Sequence, residues 1–328
     1  MTLELELTIE YLALAEPFEI ARGVITEIPV LVATLRDAQG RCGRGEAAGV
    51  SYDGETASGM AAQLEAVRAR LHADLGPSEL MQWLPAGGAR NAIDCALWDL
   101  RAKQSGARAW ELAGQSLVEP VSTAYTIGLG SEAQVRRMAR AARHMPLLKV
   151  KADAERHLEM LRLCKEEHPT ARLVIDANQA WDRSLLEKLL PGLRSYGVEL
   201  IEQPVPRGTD AQLVGLSSPI PLAADESCTD RGSLRALQGL YQYINIKLDK
   251  SGGLSEALAL AKAARQLGFG LMVGNMGGSS LAMAPAFIVA QHCRFVDLDG
   301  PLLLAADRQP AMAYAASRLH APDAALWG

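Results

Sequence analysis

The second part of the chain, from about residue 120 onward, alternates between short apolar runs and longer amphipathic segments. The segments 154–168 and 254–268 carry apolar residues at helical spacing, which is typical of helices that cover a core. Each run together with the segment after it has about the length of one βα unit. The pattern therefore predicts eight parallel strands joined by seven helices. The predicted strands cover residues 122–127, 147–151, 172–178, 200–204, 221–227, 243–247, 271–275 and 295–300.

Eight such strands can form a closed barrel or an open doubly wound sheet. A nucleotide-binding doubly wound sheet carries a glycine-rich fingerprint directly after its first strand. The chain has no such fingerprint after residues 122–127. We therefore favour an α/β fold with a TIM-like barrel.

Residues 1–115 follow a different pattern and predict a separate α+β domain. The segment "LELELTIEYLAL" alternates in part between apolar and polar residues, as a strand does. Residues 28–47 predict two further strands joined by a turn at Asp37 to Gly40. Helical patterns follow at about 55–72 and 88–104. Strands followed by helices indicate an α+β unit.

Almost every predicted barrel strand ends in a polar residue. In a (β/α)8 barrel the carboxyl ends of the strands form one face, and active sites are built there. The sequence therefore predicts that lysines and carboxylates gather around one opening. These strand-end residues are Thr126, Lys149, Lys151, Asp176, Glu202, Asp225, Lys247, Asn275, Asp297 and Asp299.

Asp176, Glu202 and Asp225 end three successive strands and are predicted to be neighbours. Three anions in one cavity repel each other unless a cation lies between them. Oxygen ligands without histidine or cysteine favour Mg²⁺, with Mn²⁺ as the second possibility. Ion pairs with the nearby lysines, or helix N-caps, are the structural alternatives for these carboxylates.

Lys149 and Lys151 are one residue apart in a strand, so they point to the same face. Their Cα atoms are roughly 6.5 Å apart, and at that distance two charges repel by about 2.5 kcal/mol. A lysine in such a pair, with a metal nearby, can act as a base near neutral pH. Lys247 ends the sixth strand, across the barrel, so two lysines can reach opposite faces of one carbon. Lys250 follows the strand, and we expect it to be an ordinary solvent-facing lysine.

This set of residues indicates the abstraction of a proton next to a carboxylate. The enolate that forms is stabilised when Mg²⁺ binds the carboxylate oxygens as a Lewis acid.

Composition narrows the function further. The chain has 328 residues, a net charge of −5 and 49% hydrophobic residues, which is typical of a globular protein with a large core. It has no basic stripe with interleaved aromatic residues and no long apolar run, so we expect neither nucleic acid nor a membrane as a partner. The N-terminus does not resemble a signal peptide, and we expect a cytoplasmic protein. The five cysteines show no metal or redox spacing and are expected to be reduced.

The motifs "LLKVK", "VIDANQAW", "IEQPV", "AADES" and "NIKLDKSGG", together with "ARNAIDCALWDLRAKQSG" at 89–106, resemble those of the enolase superfamily. More narrowly, they resemble its muconate-cycloisomerase-like subgroup. The resemblance implies an α+β cap (1–115), a (β/α)7β barrel (116–310) and a C-terminal segment (311–328) that returns to the cap. It implies that Asp176, Glu202 and Asp225 bind Mg²⁺ and that Lys151 and Lys247 are the acid/base pair. Lys149 would stay charged and hold the substrate carboxylate.

The segment "DLDG" (297–300) resembles the Asp-x-Asp motif of the dipeptide epimerases, such as the L-Ala-D/L-Glu epimerases. Two carboxylates on one strand face can bind the free ammonium group of a dipeptide, and Thr126 aligns with a substrate-contacting position of these enzymes. Asn275, at the end of the seventh strand, is a further candidate for substrate contact. A homo-oligomer is expected from the habit of the family.

The cap loop "ARGVITEIPV" (21–30) bears on the identity of the substrate. An epimerase for acidic dipeptides would need a cation there, yet Val24, Ile25 and Ile28 are apolar. The loop at 49–56 also has no cation. The sequence thus predicts an apolar C-terminal residue in the substrate, unless Arg22 turns inward.

Three alternatives to epimerisation remain open from the sequence. One is another reaction of the subgroup, namely N-acylamino-acid racemisation, o-succinylbenzoate synthesis or cycloisomerisation. Asp297 and Asp299 argue against these reactions, because their substrates have no ammonium group. The others are a metal-free Schiff-base enzyme and a barrel that only binds its ligand.

Overall fold

The computed structural model describes residues 2–20 and 23–328. Its N-terminal domain is a three-stranded antiparallel sheet followed by helices. This is the strand-then-helix order that the sequence predicts. The turn between the second and third strands is closed by a hydrogen bond from Gly40 N to Asp37 O (2.9 Å). Its elements are β1 (Glu4–Ile20), β2 (Gly23–Arg36), β3 (Cys42–Ala47), α1 (Ala57–Val67), α2 (Pro77–Trp83), α3 (Gly88–Ser105) and α4 (Ala109–Leu112).

Eight parallel strands form the sheet of the second domain, and each corresponds to one of the predicted runs. Neighbours in the sheet follow chain order from β4 to β11. A hydrogen bond from Ala124 N to Val296 O (2.7 Å) joins the two ends and closes the barrel. The strands are β4 (Tyr125–Ile127), β5 (Leu147–Lys151), β6 (Arg172–Asp176), β7 (Val198–Glu202), β8 (Leu222–Ala224), β9 (Tyr243–Ile246), β10 (Gly270–Val273) and β11 (Phe295–Val296).

The connections differ from the prediction at one place. Residues 203–221, all of which the structure describes, contain a 3-10 helix (Asp210–Leu213) where an α-helix was expected. Gly208 and Gly215 flank it at φ +87° and +71°, a conformation that ends regular helix on both sides. The helices of this domain are α5 (Glu132–Ala141), α6 (Leu158–Glu167), α7 (Arg183–Ser195), α8 (Leu234–Leu237), α9 (Leu248–Ser251), α10 (Leu254–Gln266), α11 (Ser280–Ala290) and α12 (Gly300–Leu303).

Helix α3 holds the first domain against the barrel. Arg90 donates hydrogen bonds to Ser251 O (2.6 Å) and Gly252 O (3.1 Å), which follow β9. Asp94 accepts hydrogen bonds from the backbone and the hydroxyl of Ser255. These buried polar contacts fix the first domain as a cap over the carboxyl ends of the strands.

The end of the chain returns to the cap. After a short hairpin of β12 (Tyr314–Ala315) and β13 (Arg318–Leu319), Gly328 N donates to Asp99 Oδ1 of α3 (2.7 Å). Trp327 is buried, and its indole N–H donates to Cys95 O (3.1 Å). Within the described residues, no helix combines the length and the apolar character needed to cross a membrane. The five cysteines are free thiols.

Candidate active site

A cavity of about 570 Å³ lies between the cap and the carboxyl ends of the barrel strands. Its barrel side contains seven of the predicted site residues: Thr126, Lys149, Lys151, Lys247, Asn275, Asp297 and Asp299. The three predicted metal ligands, Asp176, Glu202 and Asp225, are buried beside these lysines. The structure thus brings together all ten residues that the strand-end pattern selects.

The backbone register explains why the charged residues meet. In the parallel ladder Lys151 pairs with Asp176, and Asp176 pairs with Glu202. Side chains at paired positions point to the same side of the sheet, which here is the interior of the barrel. Lys151 Nζ is 2.7 Å from Asp176 Oδ2.

Lys149 lies at the centre of the anionic cluster. Its ammonium group is 2.8 Å from Glu202 Oε2, 2.8 Å from Asp297 Oδ2 and 3.1 Å from Asp176 Oδ2. Burial acts to lower the pKa of Lys149, but these carboxylates outweigh it and raise the pKa well above its ordinary value. Lys149 is therefore a permanent cation, as its expected role of holding a carboxylate requires.

Burial and nearby charges also shift the pKa values of the carboxylates, and they do so in different directions. Burial, with the neighbouring Asp176, raises the pKa of Glu202 to about 8. Burial also acts to raise the pKa of Asp225, but Lys247 and Lys250 hold it well below its usual range. Glu202 is thus the least compensated of the three, so a further cation would stabilise it most.

Lys151 and Lys247 face each other across the cavity. They end β5 and lie directly after β9, and in an eight-stranded ring strands four positions apart are diametrically opposed. Burial acts to lower the pKa of Lys247, yet Asp225, at 2.7 Å from its Nζ, raises it. The repulsion between lysines that the sequence emphasises is therefore outweighed by carboxylates here. For Lys247 to act as a base, Asp225 has to interact with another cation.

Asp297 and Asp299 lie at the closing strand beside Thr126. Asp299 accepts a hydrogen bond from Thr126 N (2.6 Å), and the Thr126 hydroxyl donates to Asp297 (3.4 Å). Burial, with the neighbouring Asp297, raises the pKa of Asp299 to about 7. Asp299 is thus poorly compensated, and with Asp297 beside it at the cavity wall it is suited to an ammonium group.

Asp176, Glu202 and Asp225 fit a divalent cation by their chemistry and by their incomplete pairing. Glu202 Oε2 is buried and accepts no hydrogen bond of good geometry from the described residues. Over residues 2–20 and 23–328, no three acidic, histidine or cysteine side chains are arranged as a finished metal site. Each of these three carboxylates lies against a lysine. The donor set is nevertheless all oxygen, anionic and sealed from solvent, which suits Mg²⁺.

The prediction that Lys250 faces solvent is wrong. Lys250 is buried, with 3% of its surface exposed. Its ammonium group donates to Asp225 Oδ1 (2.6 Å), to Asn245 O (3.0 Å) and to Asp225 O. The residues after β9 form the short helix α9, which turns Lys250 back toward the barrel.

Two asparagines were missed by the sequence analysis. Asn178 lines the cavity with its Oδ1 buried and unpartnered among the described residues, and its φ is +43°. Asn245 is buried and donates from Nδ2 to Glu202 Oε1 (2.8 Å). A signal was available for Asn245, because it lies two residues before Lys247 and shares its strand face.

The cap side of the cavity is mainly apolar. Phe18, Ile25 and Ile28 contribute to it, and the acidic residues on this side are Glu27 and Glu55. Glu55 caps α3 by accepting from Gly88 N (3.0 Å) and also accepts from Val50 N (2.7 Å). Among residues 2–20 and 23–328, the cap contributes no lysine or arginine to this wall. Arg22, which the sequence analysis considered for this role, lies outside the described residues.

The chain matches two family models in succession. Residues 3–114 match the mandelate racemase / muconate lactonizing enzyme N-terminal domain, and residues 131–324 match the enolase C-terminal domain-like family. The chain belongs to this family of capped barrel enzymes within the enolase superfamily.

Relatives of known activity cover most of the chain. It is 42% identical to the L-Ala-D/L-Glu epimerase of Escherichia coli over 93% of this chain and 95% of that protein. It is 44% identical to an N-acetyl-D-glutamate racemase of Pseudoalteromonas over 76% of this chain and 79% of that protein.

Solved structures agree in fold over the whole length. An Agrobacterium tumefaciens enolase family member with bound sodium and L-Ala-L-Glu superposes with a TM-score of 0.94, at 44% identity and covering 99% and 100% of the two chains. The dipeptide epimerase of Methylococcus capsulatus, in complex with Mg and L-Arg-D-Lys, superposes with a TM-score of 0.90, at 32% identity and 98% coverage of both chains.

Proposed function

We propose that this protein is a Mg²⁺-dependent dipeptide epimerase that inverts the α-carbon of the C-terminal residue. The observation that carries the proposal is the position of Lys151 and Lys247 on opposite sides of one cavity, which Asp297 and Asp299 also line. Two bases on opposite faces are what inversion by proton removal and return requires. The epimerases among its relatives support the same reaction.

In this mechanism the chain itself binds, orients and transfers the proton. Asp297 and Asp299 hold the ammonium group at one end of the dipeptide, and Lys149 binds its carboxylate by charge. Lys151 or Lys247 removes the α-proton, and the lysine on the other side delivers one to the opposite face. Asp176, Glu202 and Asp225 would hold Mg²⁺, which supplies Lewis-acid stabilisation of the enolate when bound.

The apolar cap wall supports a dipeptide whose C-terminal side chain is uncharged. Phe18, Ile25 and Ile28 offer burial to such a side chain, while Glu27 would repel a carboxylate. In this respect we expect the protein to differ from its relatives that act on L-Ala-Glu.

The reaction is tested by α-deuterium incorporation in D2O with Mg²⁺, read by mass spectrometry. The panel is L-Ala-L-Leu, L-Ala-L-Phe, L-Ala-L-Glu, N-acetyl-leucine and N-acetyl-glutamate. We expect exchange with the apolar dipeptides and its loss in EDTA. Exchange with the N-acetyl compounds but not with dipeptides would overturn epimerisation in favour of N-acylamino-acid racemisation. Activity that survives EDTA, with trapping by borohydride, would indicate Schiff-base chemistry instead.

A further inference from the structure

The three candidate metal ligands share a pattern that the catalytic roles do not explain. In each carboxylate one oxygen lies closest to a lysine that lines the cavity, and the other accepts a hydrogen bond from a second group. Asp176 receives Asn178 N on Oδ1 (2.9 Å), and Lys151 lies at Oδ2 (2.7 Å). The second contact of Asp176 is thus made by the backbone of the loop after β6, whose Asn178 itself lines the cavity.

Glu202 and Asp225 receive the corresponding hydrogen bonds, their rear contacts, from side chains that do not line the cavity. Asn245 Nδ2 donates to Glu202 Oε1 (2.8 Å), which also accepts a longer hydrogen bond from Lys149 Nζ (3.1 Å), while Oε2 lies closer to Lys149 (2.8 Å). Lys250 Nζ donates to Asp225 Oδ1 (2.6 Å), while Oδ2 faces Lys247 (2.7 Å). Neither Asn245 nor Lys250 is among the described residues that line the cavity.

Lys250 is suited to a fixed role and not to proton transfer. Its three ammonium protons have three acceptors, namely Asp225 Oδ1, Asp225 O and Asn245 O. An ammonium group has three donors, so none is left for a substrate. Because Lys250 binds both the side chain and the backbone of Asp225 and also the backbone of β9, it ties the ends of β8 and β9 together.

We propose that Lys250 and Asn245 are positioning residues that present Asp225 and Glu202 to a divalent cation through one oxygen each. This inference rests on the proposed Mg²⁺-dependent function. The oxygens left for the cation are Asp225 Oδ2 and Glu202 Oε2, which now face Lys247 and Lys149. The rear contacts keep both carboxylates in place when these lysines turn to the substrate.

For the removal of Lys250, electrostatics alone predicts a change in Mg²⁺ affinity opposite to the one that a positioning role predicts. The two roles can therefore be tested against each other. Removing a cation near an anionic site should tighten Mg²⁺ binding by Coulomb attraction. Removing a group that orients a metal ligand should weaken binding, typically by about 10- to 100-fold. The direction of the change therefore separates a positioning role from a charge-balancing one.

The experiment is Mg²⁺ titration by calorimetry, without substrate, on the wild type, Lys250→Met and Asn245→Ala. Lys262→Met on α10, an exposed lysine, is the matched control and should bind like the wild type. We expect the Mg²⁺ Kd to rise about 10- to 100-fold in both variants. We also expect proton exchange to recover at saturating Mg²⁺, which it would not do if either residue transferred protons.

Unchanged or tighter binding in folded Lys250→Met or Asn245→Ala would overturn the positioning role of that residue. Melting temperature and circular dichroism show whether a variant is folded. If Lys250→Met does not fold, Asn245→Ala decides the proposal, because it removes a donor without removing a charge. Failure of the wild type to bind Mg²⁺ would instead overturn the proposed function, so the two failures are distinguishable.

Discussion

The barrel side and the cap side face the same cavity but are built in different ways. On the barrel side, charged residues stand at strand ends, where pairing such as Lys151 with Asp176 fixes their positions through the backbone. On the cap side, apolar residues such as Ile25 and Ile28 belong to a hairpin whose partner strand shifts register between Ala13 and Phe18. The difference indicates that the barrel fixes the reaction, whereas the cap can change the substrate without disturbing it.

The strongest test of the barrel side is the removal of one lysine at a time. Lys151→Ala and Lys247→Ala should each lower the epimerisation rate by about 10²- to 10⁴-fold, because one face of the α-carbon loses its acid/base group. Each variant should retain proton exchange with one epimer at most. Deuterium incorporation is measured separately with the L,L and L,D dipeptides. Near wild-type epimerisation by either variant would contradict the two-base mechanism.

The junction of the two sides is tested through Asp249, which follows β9 and accepts a hydrogen bond from Gly49 N of the cap (2.8 Å). Burial raises its pKa to about 6 from 3.8. The folded state then holds a proton that the unfolded state releases, so the contribution of Asp249 to stability falls as the pH rises from about 4 to about 6. A shift of this size corresponds to at most about 3 kcal/mol.

Asp249→Asn keeps an acceptor for Gly49 N and removes this titration. We expect the variant to match the wild type near pH 4 and to exceed it in free energy of unfolding near pH 7. Urea unfolding at both pH values measures the difference, which isolates Asp249 from the other carboxylates. An equal difference at the two pH values would show that the pKa of Asp249 is not raised in the folded protein.

The proposed binding of the substrate ammonium group by Asp297 and Asp299 is tested by Asp299→Asn. Asparagine still accepts from Thr126 N but carries no charge, and a hydrogen bond to a charged group contributes about 1.5–3 kcal/mol. We expect kcat/KM for an apolar dipeptide to fall by about 10- to 100-fold, with no comparable loss for the N-acetyl amino acid. An equal loss for both substrates would mean that Asp299 acts on the site in general and not on the ammonium group.

The barrel site could be predicted because strand alternation and strand order determine where its side chains point. Lys149 and Lys151 share a face, and Asp176, Glu202 and Asp225 end successive strands, so a linear pattern carried most of the geometry. Lys250 could not be placed in this way. It lies on a short helix after the strand, and its direction depends on how that helix turns over β8 and β9.

The electrostatic balance of the site could not be predicted from the sequence either. Repulsion between Lys149 and Lys151 is visible in a linear pattern, but the pKa of Lys149 is set by burial, which lowers it, and by four carboxylates from other strands, which raise it more. The fourth barrel connection, with its 3-10 helix, failed for a different reason. Its glycines and prolines were visible, but the regular βα rhythm was extended over them.

The cap side is tested by introducing the missing cation. Ile25 lines the cavity, whereas Val24, its neighbour, is 62% exposed and does not number among the cavity residues. Ile25→Arg should raise kcat/KM for L-Ala-L-Glu about tenfold and lower it for L-Ala-L-Leu. One charge-assisted hydrogen bond contributes about 1.5–3 kcal/mol. Part of this free energy is lost because the long arginine side chain becomes ordered. Val24→Arg adds the same charge outside the cavity and should change neither value. If both variants improved L-Ala-L-Glu equally, the effect would be long-range attraction, and adding salt would abolish it. If neither did, the apolar wall would not be what sets the side-chain preference, and the comparison between a fixed barrel and an adjustable cap would fail at its central point.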